Sequence, residues 1–289
     1  MSGDGGEAIG IVGAGRVGCA LAVALSERGK RVVAIASRRD NTARALARRL
    51  PGAAATSAAE VAARCDWVFL TVPDGAVHGV ANELSWRAGQ CVVHTSGALD
   101  LAALDAAAAR DALVGGFHPL RAFAGGECGA GVFSGVAIGI AGPPQLSAKL
   151  GALAAELGAR VLRLDGADRA LYHAAAVFAS GFGLALLAAA RRAWTLAGLP
   201  EAEARAALAP LLEGAIANAA AQPLERALTG PFARGDADTI ARHLAKLDRA
   251  PELAALYRAL GAELLRLELG HAPEVRDALR RALAEQGTL

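Results

Sequence analysis

The feature that most constrains the fold is an apolar run near the start of the chain that leads into three spaced glycines. Residues 8–12 are typical of a buried parallel strand, and an alanine-rich segment after the glycines is typical of a helix. In such a unit the first glycine allows a tight turn, the second lets a diphosphate approach the backbone, and the third lets the helix pack on the strand. We therefore predict a dinucleotide diphosphate site at Gly13, Ala14, Gly15, Arg16, Val17 and Gly18. The alternative is a glycine-rich turn in an α/β domain that binds no nucleotide.

Strand-like and helix-like segments alternate along the first half of the chain. Eight strands are expected, near residues 9–12, 31–36, 53–56, 66–72, 90–95, 112–117, 136–141 and 160–164. This alternation predicts a mostly parallel sheet with helices on both faces. Beyond Asp165 only helical patterns follow, including one long helix over about 168–197. The predicted fold class is α/β, with a Rossmann-type dinucleotide-binding domain over 1–165 and an all-α substrate and dimerisation domain over 166–289.

Composition argues against several classes of function. The 289 residues are 54% hydrophobic, which supplies a large core, and carry a net charge of only +2. Only 4% of the residues are aromatic and no basic tract is evident, so nucleic acid is not expected as a partner. The four cysteines lack zinc-like spacing, and no metal-ligand cluster is indicated. The opening residues lack a secretion signal, so we expect a cytoplasmic protein.

The segment 174–190 contains no charged residue. It is short for a membrane span and rich in alanine, which is only weakly apolar, so we expect no membrane insertion. The interpretation favoured here is a helix buried on all sides of a soluble protein, with a position at a subunit interface as the alternative.

Ligands of open α/β sheets bind at the carboxyl ends of the strands, which directs attention to the residues there. An acidic residue after the second strand would favour NAD; this chain instead has Ser37, Arg38 and Arg39. A hydroxyl and two guanidinium groups suit the 2′-phosphate of NADP, so NADP is expected as the cofactor and NAD is less favoured. The alternative is a solvated basic pair that starts a helix. After the fourth strand, Val72, Pro73 and Asp74 are expected on the ribose and nicotinamide side, unless Asp74 only caps a helix.

Two later strands end in histidines with small polar neighbours. His94-Thr95-Ser96-Gly97 follows one strand and His118 follows the next, where a nicotinamide and a carbonyl substrate would meet. An imidazole with a pKa of about 6.5 can exchange a proton near neutral pH. We place Thr95 beside the cofactor, and His94, Ser96 and Gly97 beside the substrate. A structural role remains the alternative for both histidines.

Polar groups of the helical half complete the candidate set. His173 opens the charge-free segment and is expected either in the cleft between the domains or at the surface. Asn218 precedes a loop expected over 229–236, in which Arg234 and Asp236 are interpreted as a structural pair, with Asp236 or Asp238 as a helix cap.

Several motifs together resemble the Rossmann-like, DUF2520-containing proteins. They are the Gly13–Gly18 turn, HTSGAL at 94–99, GFHPL at 116–120, YHAAAVFAS at 172–180, and the segment 228–244. The resemblance covers nearly the whole chain. It implies a NAD(P)-dependent reductase similar in layout to ketopantoate reductase, pyrroline-5-carboxylate reductase and the β-hydroxyacid dehydrogenases, which are often dimeric. The family pattern has an asparagine after Ser180, where this chain has Gly181.

The resulting hypothesis is an NADP(H)-dependent reductase of a small 2-oxo acid or imine, with ketopantoate as one candidate. His173 is the expected general acid, Ser96 and His118 orient the substrate oxygen, and Ser180 and Asn218 contribute to substrate binding. A homodimer through the helical domain is expected. The missing asparagine leaves a second hypothesis open, a non-catalytic dinucleotide-binding sensor or assembly protein. A deazaflavin cofactor is a third possibility, which the paired arginines disfavour.

Overall fold

The structure, a computed structural model, describes residues 6–123 and 125–284. The chain forms two compact units, the first ending at Ser180 and the second beginning at Gly181. The boundary expected from the sequence lies earlier, at residue 165. The first unit therefore also contains the helix Arg169–Ala179, which carries His173.

An eight-stranded sheet forms the centre of the first unit. Its strands are β1 (Ile9–Val12), β2 (Val32–Ala36), β3 (Ala54–Ala55), β4 (Trp67–Leu70), β5 (Cys91–His94), β6 (Leu113–Pro119), β7 (Ala137–Ala141) and β8 (Arg160–Arg163). Their order in the sheet is β3-β2-β1-β4-β5-β6-β7-β8. Neighbouring strands are parallel except β6 and β7, which are antiparallel. The predicted mostly parallel sheet is confirmed, and the carboxyl ends of β1, β2, β4, β5 and β6 share one edge.

Helices cover both faces of this sheet. They are α1 (Arg16–Glu27), α2 (Asp40–Ala47), α3 (Ala58–Arg64), α4 (Asp74–Glu83), α5 (Asp105–Ala108) and α6 (Pro144–Glu156). A further helix, α7 (Arg169–Ala179), follows β8 at the end of the unit. Side chains alternate between the faces of a strand, so β4 contributes to two buried layers. Phe69 packs in the layer that contains α1, α2 and α6, whereas Leu70 packs in the layer of α3, α4 and α5. Burial on both faces explains why the strands are apolar almost throughout.

Two predicted elements of the first unit differ from the structure. The helix expected over 100–110 is a short 3₁₀ helix, Leu101–Leu104, followed by the single turn of α5. The long helix expected over 168–197 is interrupted at Ser180, whose φ of −115° and ψ of −76° depart from helical values. Gly181 and Gly183 follow, and glycine weakens a helix, so apolar periodicity alone overestimated the helix length.

The second unit is helical within its described residues, as predicted. Its helices are α8 (Gly181–Leu196), α9 (Glu201–Ala221), α10 (Leu224–Ala227), α11 (Gly230–Arg234), α12 (Ala237–Leu247), α13 (Pro251–Leu264) and α14 (Pro273–Ala284). The segment 229–236, expected to be a loop, contains α11. Asp236 caps α12, because its Oδ1 accepts a hydrogen bond of 3.0 Å from the backbone N–H of Thr239. Phe232, Ile240 and Leu279 form the buried core of this unit.

The expectation that the charge-free helix is buried on all sides is wrong for the single chain. No residue of α8 is buried, and Leu184 is 71% exposed. α9 packs along α8 but also leaves Leu211 and Ile216 exposed, at 71% and 58%. By length and mean hydropathy (1.7), the helical stretch Arg169–Leu196 could span a membrane, and none of that apolar window is buried. The alanine and leucine faces of this hairpin are therefore available for contact with another apolar surface.

Candidate functional site

The glycine turn after β1 is shaped by close packing. Gly13 has a φ of +115°, which favours glycine, and its carbonyl accepts a 2.5 Å hydrogen bond from the Thr71 hydroxyl. A Cβ at Gly18 would lie only 1.9 Å from the carbonyl oxygen of Gly13. A Cβ at Gly15 would meet no atom within 4 Å. Gly15 is the N-cap of α1, and no side chain caps the N–H groups there. The open space beside Gly15 and the uncapped N–H groups of α1 fit a diphosphate.

A cavity of about 750 Å³ lies at the carboxyl ends of β1, β2 and β4. The predicted cofactor residues that line it are Gly13, Ala14, Gly15, Ser37, Arg38, Arg39, Val72 and Pro73. The structure therefore brings residues from three separate parts of the sequence around one space. Its volume is in the range of small-molecule and cofactor sites.

The other predicted cofactor residues lie outside the lining of this cavity. Arg16 donates from Nη1 to the carbonyl oxygen of Phe123 at 3.4 Å, and Val17 packs against the core beneath α1. Gly18 faces the turn itself. Asp74 is the first residue of α4, and the N-cap position before it is occupied by Pro73. Thr95, half-buried, follows β5 farther along the same edge.

The basic segment after β2 is exposed to solvent at the edge of the cavity. The Thr42 hydroxyl is 3.0 Å from the Ser37 hydroxyl and donates to the Arg39 carbonyl, which orders this turn. Among the described residues no carboxylate forms an ion pair with Arg38 or Arg39. The nearby Asp40 pairs instead with Arg44, at 3.3 Å. The two guanidinium groups remain able to bind a phosphate.

A second group of polar side chains lies where β5 and β6 end. The rings of His118 and His173 have centroids 6.1 Å apart, and His118 Nδ1 lies 2.9 Å from the Tyr172 hydroxyl. A Cβ at Gly97 would lie 2.7 Å from carbon atoms of both imidazoles, so glycine is required for their close approach. We call His118 and His173 the imidazole pair. The sequence predicted both histidines and Gly97 as site residues, and the structure brings them together.

Burial and neighbouring charge determine the protonation of His118. Burial, the adjacent His173 and the positive charge of Arg169 lower the pKa of His118 to about 4. The imidazole is therefore neutral at pH 7. Burial also raises the pKa of Tyr172, so its hydroxyl keeps its proton and can donate it to Nδ1. With the Tyr172 hydroxyl as the donor in this bond, the proton of His118 is on Nε2, which lies 2.9 Å from the position of a Cβ at Gly97.

His94 does not have the substrate-binding position predicted for it. Its side chain is fully buried, because His94 shares the face of β5 on which Val92 packs into the layer of α3, α4 and α5. Neither ring nitrogen has a hydrogen-bond partner among the described residues. Burial and Arg169 lower the pKa of His94 to about 4, so it is a neutral core histidine at pH 7.

Three further predicted residues have local structural roles or lie elsewhere. The Ser96 hydroxyl oxygen accepts hydrogen bonds from the N–H groups of Ala98 and Leu99, which forms the turn that carries Gly97. The Ser180 hydroxyl donates to the Ala176 carbonyl at 2.7 Å. Asn218 lies on α9 in the second unit, where it lines a mainly apolar cavity of about 730 Å³.

Arg169 and Tyr172 were not among the predicted site residues. Arg169 is 8% exposed, donates from Nη2 to the Ser96 carbonyl at 3.0 Å, and lies 5.7 Å from the centre of the Tyr172 ring. Its Nε and Nη1 have no partner in the part of the chain that the structure describes. The signal was available, because residues 169, 172 and 173 have the i, i+3, i+4 spacing of one helix face. We infer that Arg169 positions the turn and the tyrosine that support the imidazole pair.

Comparison with known families gives a consistent result. One family model, the Rossmann-like domain, matches residues 5–119. A second, the domain of unknown function DUF2520, matches residues 136–264. The two matches follow one another along the chain and together span most of it. The resemblance found in the sequence is thereby confirmed. No curated protein matches the sequence.

Solved structures with the same architecture include oxidoreductases. A Bacteroides fragilis protein, provisionally named an NADP oxidoreductase, is 26% identical with a TM-score of 0.72, covering 90% of this chain and 98% of its own. A Thermotoga maritima protein whose name states no activity is also 26% identical, with a TM-score of 0.69; the match covers 95% of this chain and 98% of that protein. An Aspergillus terreus reductive aminase, solved with NADPH and ethyl levulinate, is 18% identical with a TM-score of 0.61; the match covers 96% of this chain and 93% of that protein. At that identity the last comparison supports the fold alone.

The second and third glycines of the turn, Gly15 and Gly18, allow a matched test of its packing. We expect Gly18→Ala to lower the melting temperature by several degrees, because its Cβ would overlap the Gly13 carbonyl. Gly15→Ala, whose Cβ meets open space, should leave the melting temperature within about 1 °C of wild type. Equal melting temperatures of the two variants, measured by calorimetry, would contradict the packing described here.

The buried histidines predict a pH dependence of stability. The unfolded chain binds protons at His94 and His118 near their ordinary pKa of about 6.5, whereas the folded chain binds them only near pH 4. The free energy of unfolding should therefore be fully retained above pH 6.5 and should decrease as the pH falls toward 4, by about 2–3 kcal/mol per imidazole.

Urea unfolding at pH 7, 6, 5 and 4 measures this effect. His118→Asn should show a smaller decrease than wild type, because one titrating group is gone, while the exposed control His78→Asn should match wild type. If wild type and His118→Asn lose the same free energy over this range, His118 is not held neutral by the fold.

Proposed function

We propose that this protein is an NADP(H)-dependent oxidoreductase that reduces the C=O or C=N group of a small substrate. The observation that carries the proposal is the cavity in which the glycine turn adjoins Arg38 and Arg39. Gly15 and the first N–H groups of α1 would hold the diphosphate, and Ser37, Arg38 and Arg39 would hold the 2′-phosphate. A bound nicotinamide dinucleotide supplies the hydride for such a reduction.

The position of the imidazole pair supports this assignment. From β1, which carries the diphosphate turn, the sheet edge passes β4 and β5 and reaches β6, which carries His118. Three steps of about 4.8 Å between strands give about 14 Å along the edge. A dinucleotide extended along this edge from the glycine turn would bring its reactive end toward Gly97 and the imidazole pair.

The residues of the imidazole pair suit the proton side of the reaction. His118, neutral with its proton on Nε2, can donate a hydrogen bond to a substrate oxygen or nitrogen beside Gly97. His173, half-buried beside it, is the proposed general acid. Tyr172 fixes the tautomer of His118, and Arg169 holds the Ser96 turn. Ser96 contributes by holding the turn that carries Gly97, since its hydroxyl accepts hydrogen bonds from the N–H groups of Ala98 and Leu99.

The finer substrate assignment rests on the resemblance to small-molecule reductases. We propose a small 2-oxo acid or cyclic imine, with ketopantoate as one member of the panel to be tested. The Bacteroides fragilis protein, 26% identical, is provisionally named an NADP oxidoreductase, and this supports oxidoreductase chemistry with NADP(H) on this architecture.

One observation favours a second candidate function, a non-catalytic dinucleotide sensor or assembly protein. The family's asparagine is absent at Gly181, and the Ser180 hydroxyl is already bonded to the Ala176 carbonyl. An amide that could hold a substrate oxygen is therefore missing from this point of the helix. The imidazole pair is the reason for preferring an enzyme.

We also propose a cytoplasmic homodimer formed through the helical unit. The α8–α9 hairpin leaves Leu184, Leu211 and Ile216 largely exposed, and a second copy presents the same self-complementary apolar surface. Contact with that copy would remove the exposed apolar side chains of the hairpin from water in a soluble protein, without a membrane.

Turnover separates the two candidate functions. NADPH oxidation is followed by absorbance with a panel of 2-oxo acids and cyclic imines, using wild type, His173→Ala and the exposed control His78→Ala. We expect wild type and the control to consume NADPH, and His173→Ala to lose about 10²–10⁴-fold in kcat with unchanged NADPH affinity. Tight NADPH binding without consumption of any substrate would favour the sensor.

Cofactor selection is tested by removing the two guanidinium groups. Arg38→Ala/Arg39→Ala should weaken NADPH binding by about 10- to 100-fold or more, because charge-assisted hydrogen bonds to the 2′-phosphate are lost. NADH binding should change little. Arg48→Ala, at the other end of α2, is the control. An equal loss of affinity for both nucleotides in calorimetry would show that these arginines do not select the phosphate.

A further inference from the structure

The segment 125–130, between β6 and β7, lies against α1, the helix whose first turn is proposed to hold the diphosphate. At one end of this region, Arg16 of α1 donates to the Phe123 carbonyl. At the other end, the backbone N–H of Ala130 donates to Glu27 Oε2 of α1 at 2.6 Å. We call residues 125–130 the strap. A pair of thiols also joins the strap to α1.

Cys19 of α1 and Cys128 of the strap bring their sulfur atoms to 3.5 Å, although they are far apart in the sequence. Both cysteines are free and half-buried, whereas Cys65 and Cys91 are fully buried. Formation of a disulfide requires the sulfurs to approach by about a further 1.5 Å, to about 2.05 Å. Small rotations of two side chains, one of them on a loop, can provide that movement.

The guanidinium group of Arg49 lies beside the thiol pair. Arg49 donates from Nη1 to Cys19 Sγ at 3.4 Å. Burial and the neighbouring Cys128 raise the pKa of Cys19, while Arg49 acts in the opposite direction. Cys19 therefore keeps its proton at neutral pH, which suits it to the second step, in which it completes the bond.

We propose that Cys19 and Cys128 form a reversible disulfide in the presence of hydrogen peroxide, which fixes the strap to α1. The Cys128 thiolate attacks one peroxide oxygen, the O–O bond breaks, and a sulfenic acid and hydroxide form, the latter leaving as water after protonation. The Cys19 sulfur then attacks the sulfenic sulfur, forms the S–S bond and releases a second water. Two thiols are oxidised and one peroxide is reduced to two waters. This site depends on the thiol geometry and is independent of the proposed reductase activity.

The test uses the full chain, first reduced and then treated with hydrogen peroxide. Before alkylation, the intact mass of the oxidised monomer should be lower by two hydrogen atoms than that of the reduced monomer. After alkylation in denaturant and digestion, Cys65 and Cys91 should be alkylated, and one linked peptide pair should contain Cys19 and Cys128. Dithiothreitol should restore four alkylated thiols. The oxidised protein should melt about 5 °C or more above the reduced protein, because the cross-link closes a long loop in the unfolded chain.

The variants Cys19→Ser and Cys128→Ser test whether both thiols are needed, and Cys65→Ala is the matched control at a buried thiol outside the pair. Each serine variant should lose both the linked peptide and the rise in melting temperature, and the control should keep both. The proposal is overturned if peroxide leaves both thiols alkylatable, gives only sulfinic acid at Cys128, or links cysteines of two different chains on a non-reducing gel.

Discussion

The close approach of α1 to the end of β1 is the constraint on which the site depends. Gly18 lies against the Gly13 carbonyl, and Thr71 of the neighbouring strand end holds the same carbonyl by a hydrogen bond. This packing fixes the first turn of α1 at the sheet edge, with its N–H groups directed outward. A larger residue at position 18 would displace the helix start, and with it the N–H groups proposed to hold the diphosphate.

The mostly parallel sheet and the location of the cavity beside the glycine turn could be predicted from the sequence because local signals specify them. Continuous apolar runs, glycine spacing and the basic residues after β2 act over a few residues each, and the parallel topology brings their strand ends together. The spacing of Arg169, Tyr172 and His173 was equally local and would have indicated one helix face. The pairing of Arg169 with the Ser96 carbonyl was not predictable, since it joins distant parts of the chain.

The predictions that failed did so for reasons that pattern alone does not contain. His94 is a titratable side chain at the end of a strand, as a site residue would be, but the alternation of side chains along β5 directs it into the core. The helix break at Ser180 follows from glycine and backbone geometry, which an uninterrupted apolar pattern conceals. The exposure of α8 depends on what else packs against it, and a sequence that is apolar all round does not state whether the same chain or a second copy covers it.

The central claim is that the glycine turn and the cavity beside it bind NADP(H), and calorimetric titration of the pure protein with NADPH tests it most directly. The account predicts one binding site per chain with a dissociation constant in the micromolar range or tighter, and weaker binding by Gly15→Ala, whose Cβ would enter the space left for the diphosphate. Absence of heat from either NADPH or NADH at millimolar concentration, with a protein shown to be folded, would contradict it.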